Sequence, residues 1–138
     1  MFKTNIFPKL FFASLILFWA LPLLAQNPDS IPFAPAVSYL AADLPLSVFC
    51  ADLDGDGDLD LAVTGGSPGV SILKNNGNGT FGFPIFYQVG NDPRFTFCAD
   101  LDGDGDLDLA VANGQSNFIS ILENNGDGTF QAKVDYVT

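Results

Sequence analysis

Histidine is absent from the 138 residues, and Lys and Arg number five against sixteen Asp and Glu. Without histidine, Ser-His-Asp and Cys-His catalysis and His-ligated zinc are excluded. The formal charge of −11 argues against nucleic acid as a partner, because duplex binding rests on Lys and Arg contacts to phosphate. Cysteine occurs twice, methionine and tryptophan once each. No segment past the N-terminal region shows the apolar period of a helix. The length allows one domain at most.

The N-terminal 25 residues stand apart. Lys3 and Lys9 form a short positive region, and Leu10 to Leu21 is an apolar run of twelve with Ser14 its one polar member. Pro22 ends the run, and Ala25 is a small residue just before Gln26. This is the anatomy of a secretory signal peptide cleaved after Ala25. The apolar run is too short to span a bilayer, which takes roughly 20 residues, so no stable membrane span is expected after cleavage. The only Trp, the only Met and two of the five bases lie in this region. The rest is rich in Gly with Val, Ile, Phe and Tyr, a composition of short strands and tight turns.

The chain repeats itself. Phe49 to Val63 recurs unchanged as Phe97 to Val111, an offset of 48. Asn75-Asn-Gly-Asn-Gly-Thr-Phe81 recurs as Asn124-Asn-Gly-Asp-Gly-Thr-Phe130, an offset of 49. A weaker element appears three times, as Phe33 to Tyr39, Phe81 to Tyr87 and Phe130 to Tyr136, with a spacing of six each time.

Each unit reads as four strands. In the first they are expected at Leu46 to Ala51, Leu59 to Thr64, Val70 to Lys74 and Phe81 to Val89. In the second they are expected at Phe95 to Ala99, Leu107 to Ala112, Phe118 to Glu123 and Phe130 to Val137. Asn-Gly and Asp-Gly pairs supply the positive φ that hairpin turns need. Four short antiparallel strands in such a length make one propeller blade. The expected fold is all-β: two four-stranded antiparallel blades after an N-terminal signal helix. The divisions are a signal peptide at 1–25, a leader at 26–32, an orphan outer-strand element at 33–45, one blade at 46–90 and a second at 91–138. Closed propellers take about 4 to 8 blades, so two are too few for a ring.

Ten of the sixteen acids fall in two loops. These are Asp52, Asp54, Asp56, Asp58 and Asp60 in the first, and Asp100, Asp102, Asp104, Asp106 and Asp108 in the second. Five carboxylates within nine residues repel one another, and a cation compensates them. Oxygen ligands at alternate positions suit Ca²⁺, which takes about six to eight oxygens in flexible geometry. Gly55, Gly57, Gly103 and Gly105 let the backbone curl around an ion. Asp52, Asp54, Asp56 and Asp60 are expected to offer carboxylates and Asp58 its backbone carbonyl. Asp100, Asp102, Asp104 and Asp108 match them, with Asp106 in the carbonyl role. One Ca²⁺ per loop, two in total, is the expectation. An EF-hand loop starts with the same spacing but runs to about 12 residues and ends on a bidentate Glu. Here the twelfth position is Val63 or Val111, inside an apolar alternating strand, so that reading fails. Mg²⁺ fits less well, since it keeps waters and a strict octahedron.

The Asp-x-Asp-Gly-Asp-Gly-x-x-Asp-Leu-Ala-Val run, followed by Ser-Ile-Leu-x-Asn-Asn-Gly-x-Gly-Thr-Phe, resembles the FG-GAP or VCBS-type repeat. The resemblance covers Phe33 to Thr138. It implies blades of an integrin-α-like β-propeller with a calcium site in the hairpin loop between the first two strands of each. It also implies a secreted, extracellular or cell-surface protein, or a periplasmic one. The implied roles are adhesion, contact with an extracellular protein or carbohydrate ligand, or attachment to a secreted enzyme.

Cys50 and Cys98 occupy equivalent places in the first strand of each unit. An even pair in a secreted protein suggests a disulfide, but equivalent strands of neighbouring blades lie too far apart for one. Two buried, unbonded thiols are expected. The Phe33, Phe81, Phe130 and Tyr39, Tyr87, Tyr136 series reads as blade-packing aromatics rather than a sugar platform. Asn78-Gly-Thr80 is a glycosylation sequon. No nucleophile and base pair exists outside the acidic loops, so no enzyme is expected. The chain starts, after the leader, with a lone fourth-strand element and stops at Thr138, where a further turn and first strand would follow. The alternative reading is therefore an N-terminal fragment of a larger secreted propeller, with self-association into a ring as the biological variant.

Overall fold

A computed structural model describes residues 35–66 and 68–138. The signal peptide at 1–25, the leader at 26–32 and Phe33 lie outside the described residues. The chain divides into a unit Met1–Ala36 and a unit Val37–Thr138; the fold below is that of the second. Among the described residues no helix is long and apolar enough to cross a membrane.

The first repeat forms β1 (Pro45–Ala51), β2 (Asp60–Gly65), β3 (Gly69–Leu73) and β4 (Ile85–Gln88), and the second forms β5 (Pro93–Ala99), β6 (Asp108–Asn113), β7 (Phe118–Leu122) and β8 (Val134–Val137). They make two antiparallel four-stranded sheets, β1-β2-β3-β4 and β5-β6-β7-β8. The all-β expectation holds, and the two sheets do not close into a barrel or ring.

The outer strands are shorter than expected. They begin at Ile85 and Val134 rather than at Phe81 and Phe130. Phe81 and Phe130 instead make single bridges to Asn75 and Asn124. From the Asn75–Phe81 bridge to the Ile72–Ile85 pair, three steps on one strand oppose four on the other. The same mismatch separates Asn124–Phe130 from Ile121–Val134. One extra residue breaks the ladder there, as in a β-bulge.

Register assigns each side chain to a face. On the first sheet, one face carries the rows Phe49–Ala62–Ile72–Ile85 and Ser47–Thr64–Val70–Tyr87; we term it the trailing face. The opposite, leading face of the second sheet carries Cys98–Leu109–Leu122 and Thr96–Val111–Ser120–Asp135. The hydrophobic core joins these two. Ala62, Val70 and Ile72 belong to one buried cluster with Cys98, Leu109, Val111, Leu122 and Phe130, and Phe49 and Tyr87 pack against it. The core thus lies between the sheets.

Aromatic pairs mark the seam. Phe49 meets Phe97 edge-on with ring centroids 5.2 Å apart, and Tyr87 meets Phe130 edge-on at 5.4 Å. Before the first sheet, Tyr39 meets Phe81 in the same way at 5.3 Å. Tyr39 thus stands to the first sheet as Tyr87 stands to the second. The approach to each sheet also repeats: Leu44 (φ 46°) and Asp92 (φ 55°) take left-handed backbone just before Pro45 and Pro93.

Cys50 and Cys98 are both free. The expectation that both are buried is corrected: Cys98 is buried and Cys50 exposed. Cys98 lies in the seam, whereas Cys50 lies on the leading face of the first sheet. Burial pushes the Cys98 thiol up to about 12, with a smaller contribution from Cys50.

Candidate metal centre

The acidic loops connect β1 to β2 and β5 to β6. They fold on their own carboxylates. Asp52 accepts the amides of Gly55 at 2.9 Å and Gly57 at 3.0 Å. Asp54 accepts the Asp56 amide at 3.3 Å, and Asp56 accepts the Asp58 amide at 2.9 Å. The second loop repeats the pattern. Asp100 takes Gly103 at 2.7 Å and Gly105 at 3.2 Å, Asp102 takes Asp104 at 3.1 Å, and Asp104 takes Asp106 at 2.9 Å. Gly55 (φ 75°) and Gly57 (φ 93°) make the curl, a conformation that costs a residue with a Cβ.

Asp60 and Asp108 close the loops from the first residue of β2 and β6. Both are buried. Asp60 accepts the Leu53 amide at 3.1 Å and the Asn75 amide at 2.7 Å. Asp108 accepts the Leu101 amide at 2.9 Å and the Asn124 amide at 2.9 Å. Each therefore ties its acidic loop to the Asn-rich turn of its own sheet. The sequence marks these asparagines as turn formers; their hold on the buried carboxylate is a further role.

Three of the five carboxylates in each loop converge. Asp52, Asp54 and Asp60 each offer an oxygen within 4.8 Å of the others, as do Asp100, Asp102 and Asp108. Asp56 and Asp104 stand outside these trios. Asp58 and Asp106 turn toward the neighbouring Asn-rich turn, where a Cβ on Gly77 or Gly126 would meet their Oδ2 at 2.9 and 2.6 Å.

Crowding shows in the proton affinities. Burial raises the pKa of Asp60 and the charges of Asp54 and Asp56 add to it, against the lowering by the Asn75 and Leu53 amides. At Asp102 the Asp104 amide pulls downward, but lost hydration and the charges of Asp104 and Asp108 outweigh it and the pKa is raised. Burial is the main cause of the rise at Asp60, and at both residues the neighbouring carboxylates push in the same direction.

The two loops differ in what surrounds them. Lys74, the residue after β3, pairs with Asp54 at 3.3 Å and donates to the Asp127 carbonyl of the second repeat. Asn124 donates from Nδ2 to the Leu53 carbonyl at 2.8 Å. Gly128 sits so close that a Cβ there would meet Asp54 at 3.0 Å and Lys74 at 2.9 Å. The turn of the second repeat thus lies on the acidic loop of the first. The sequence has no signal for Lys74, since its counterpart in the second repeat is Glu123.

An all-oxygen set of carboxylates on a glycine-built loop fits a hard divalent cation. Soft-metal and His-based sites have no ligands here. Among curated proteins none matches the chain. Residues 52–111 and 100–138 match the FG-GAP-like repeat, and the first match begins on Asp52, the first carboxylate of the converging trio. Together the matches run through both acidic loops and from β2 to β8, leaving out only β1 of the two sheets, and the chain belongs to the FG-GAP-like repeat family.

Proposed function

We propose that this is a secreted, calcium-binding, non-catalytic repeat module that contacts an extracellular protein or carbohydrate. The observation that carries the reading is the twofold convergence of carboxylates, Asp52, Asp54 and Asp60 and again Asp100, Asp102 and Asp108. Three carboxylates supply half or fewer of the oxygens Ca²⁺ takes, about six to eight, so loop carbonyls and water complete the shell. The ion offsets the burial of Asp60 and the carboxylate charges that add to the rise at Asp60 and Asp102. It fixes a loop that otherwise rests on hydrogen bonds to its own acids, so binding couples to folding.

The absence of histidine and the use of the carboxylates as loop ligands support a binding rather than a catalytic role. Isothermal titration of the metal-free protein with Ca²⁺ tests the reading. Two sites per chain are expected, reduced to one by Asp102→Ala. No heat of binding, or a stoichiometry that ignores Asp102→Ala, would sink it.

A further inference from the structure

The second sheet has a trailing face of its own. By register it carries Phe97–Ala110–Ile121–Val134 and Phe95–Ala112–Ile119–Tyr136, apolar throughout but for the Tyr136 hydroxyl. Phe95 is 68% exposed and Tyr136 55%. Apolar area of this kind on one side of a sheet marks an interaction surface. A groove of about 440 Å³ runs along it, lined by Leu101, Asp102, Ile119, Ile121, Glu123 and Tyr136 among others.

The same groove exists on the first sheet, where it is filled. Its wall there is Leu53, Asp54, Val70, Ile72, Lys74 and Tyr87, and the turn Asn124 to Phe130 occupies it. Asn124 bonds the Leu53 carbonyl, Gly128 lies against Asp54 and Lys74, and Phe130 meets the Tyr87 ring. Leu53 is consequently 2% exposed and Leu101 50%. Burial differs because one groove has its turn and the other does not.

The chain carries a second turn of that shape. Asn75 to Phe81 differs from Asn124 to Phe130 at one residue, Asn78 in place of Asp127. That difference suits the open groove. Lys74 beside Asp127 is matched across the equivalent junction by Glu123 beside uncharged Asn78, so the incoming turn adds no further negative charge to Glu123 and Asp102. The leading face of the first sheet also offers Val48 where the second has Thr96, and the open trailing face offers Ala112 where the first has Thr64. The filled seam buries both threonine hydroxyls without partners; the open one would bury methyl groups.

We propose that the open groove takes the Asn75–Phe81 turn of a second copy of this chain, stacking copies head to tail. Phe81 now has Tyr39 at its edge, and docking exchanges that ring for Tyr136 of the neighbour. A head-to-tail contact closes into a ring if its rotation allows.

Sedimentation velocity of the purified protein over rising concentration in calcium tests this. The protein is expected to associate. Ile119→Lys, on the open face, is expected to weaken association by about tenfold or more while circular dichroism shows the fold kept. Glu123→Lys recreates the Lys74–Asp54 pairing at Asp102 and is expected to tighten association by about fivefold. A monomer at every concentration overturns the proposal, as does association that Ile119→Lys leaves intact or that Glu123→Lys fails to tighten. The readout is mass rather than ion binding, so failure here leaves the calcium reading standing.

Discussion

Asn124 donates from its side-chain nitrogen to the carbonyl oxygen of Leu53, 71 residues earlier in the chain, at 2.8 Å. The same nitrogen reaches the Leu107 carbonyl at 3.0 Å, and the side-chain oxygen accepts the amides of Gly126 at 3.0 Å and Gly128 at 3.2 Å. One buried amide therefore shapes its own turn and fastens it to the acidic loop of the preceding repeat.

Asn124→Ala should lower stability by about 3 kcal/mol, since it strands several buried polar groups. Asn75→Ala should cost about 1 kcal/mol. Asn75 holds Leu59 and Gly77 in its own repeat, in a more exposed setting, and bridges to no second sheet. Urea denaturation midpoints of the two variants check the difference. Equal losses would show that the inter-sheet bond contributes nothing.

Calcium should raise the melting temperature by on the order of 10 °C at saturating concentration, from the linkage of binding to folding. Chelation should reverse the gain. The double variant Asp54→Ala, Asp102→Ala should melt at one temperature with and without calcium. Thermal melts followed by circular dichroism measure all three.

Acid should release the ion. The pKa values of Asp60 and Asp102 are raised from 3.8, so protons compete with calcium at a higher pH there than at an unperturbed aspartate. Calcium affinity should fall as pH drops through these raised values. Without calcium the sign reverses. A raised folded-state pKa contributes stability that is present below 3.8 and lost as pH rises through the folded value. Asp127 and Asp135, whose pKa values are lowered, act with the opposite sign in both conditions, so melts at stepped pH with calcium and with chelator should diverge as pH rises over that window.

Thr64 and Thr96 face the seam from opposite sheets, and their hydroxyls have no partner. Thr64→Val and Thr96→Val should each stabilise the protein by about 1 kcal/mol, because an unsatisfied buried hydroxyl is removed with little change in volume. Val48, the counterpart of Thr96 in the first repeat, shows that the strand accepts valine there. Denaturant titration reads the gain directly.

Much of this was legible in the residues. Leu-Ala-Val alternation and Asn-Gly turns placed β1 to β3 and β5 to β7 within two residues of their observed ends. The carboxylate spacing located both acidic loops. The starts of β4 and β8 were not legible, because the Phe-to-Tyr element looks continuous while the extra residue sits between Phe81 and Ile85. Nor could the sequence separate Leu53 from Leu101, or Cys50 from Cys98. Each pair lies in segments identical over fifteen residues. What divides them is whether a neighbouring sheet stands against that face, a property of position in the stack and not of local residues.

The interior of this protein belongs to neither repeat. Ala62, Val70 and Ile72 come from one and Leu109, Val111 and Leu122 from the other. A repeat expressed alone would have two sides and nothing inside. Growth by duplication thus works on seams: each added unit creates one new interior and leaves two bare ends, however many units accumulate. Only meeting ends remove the last two.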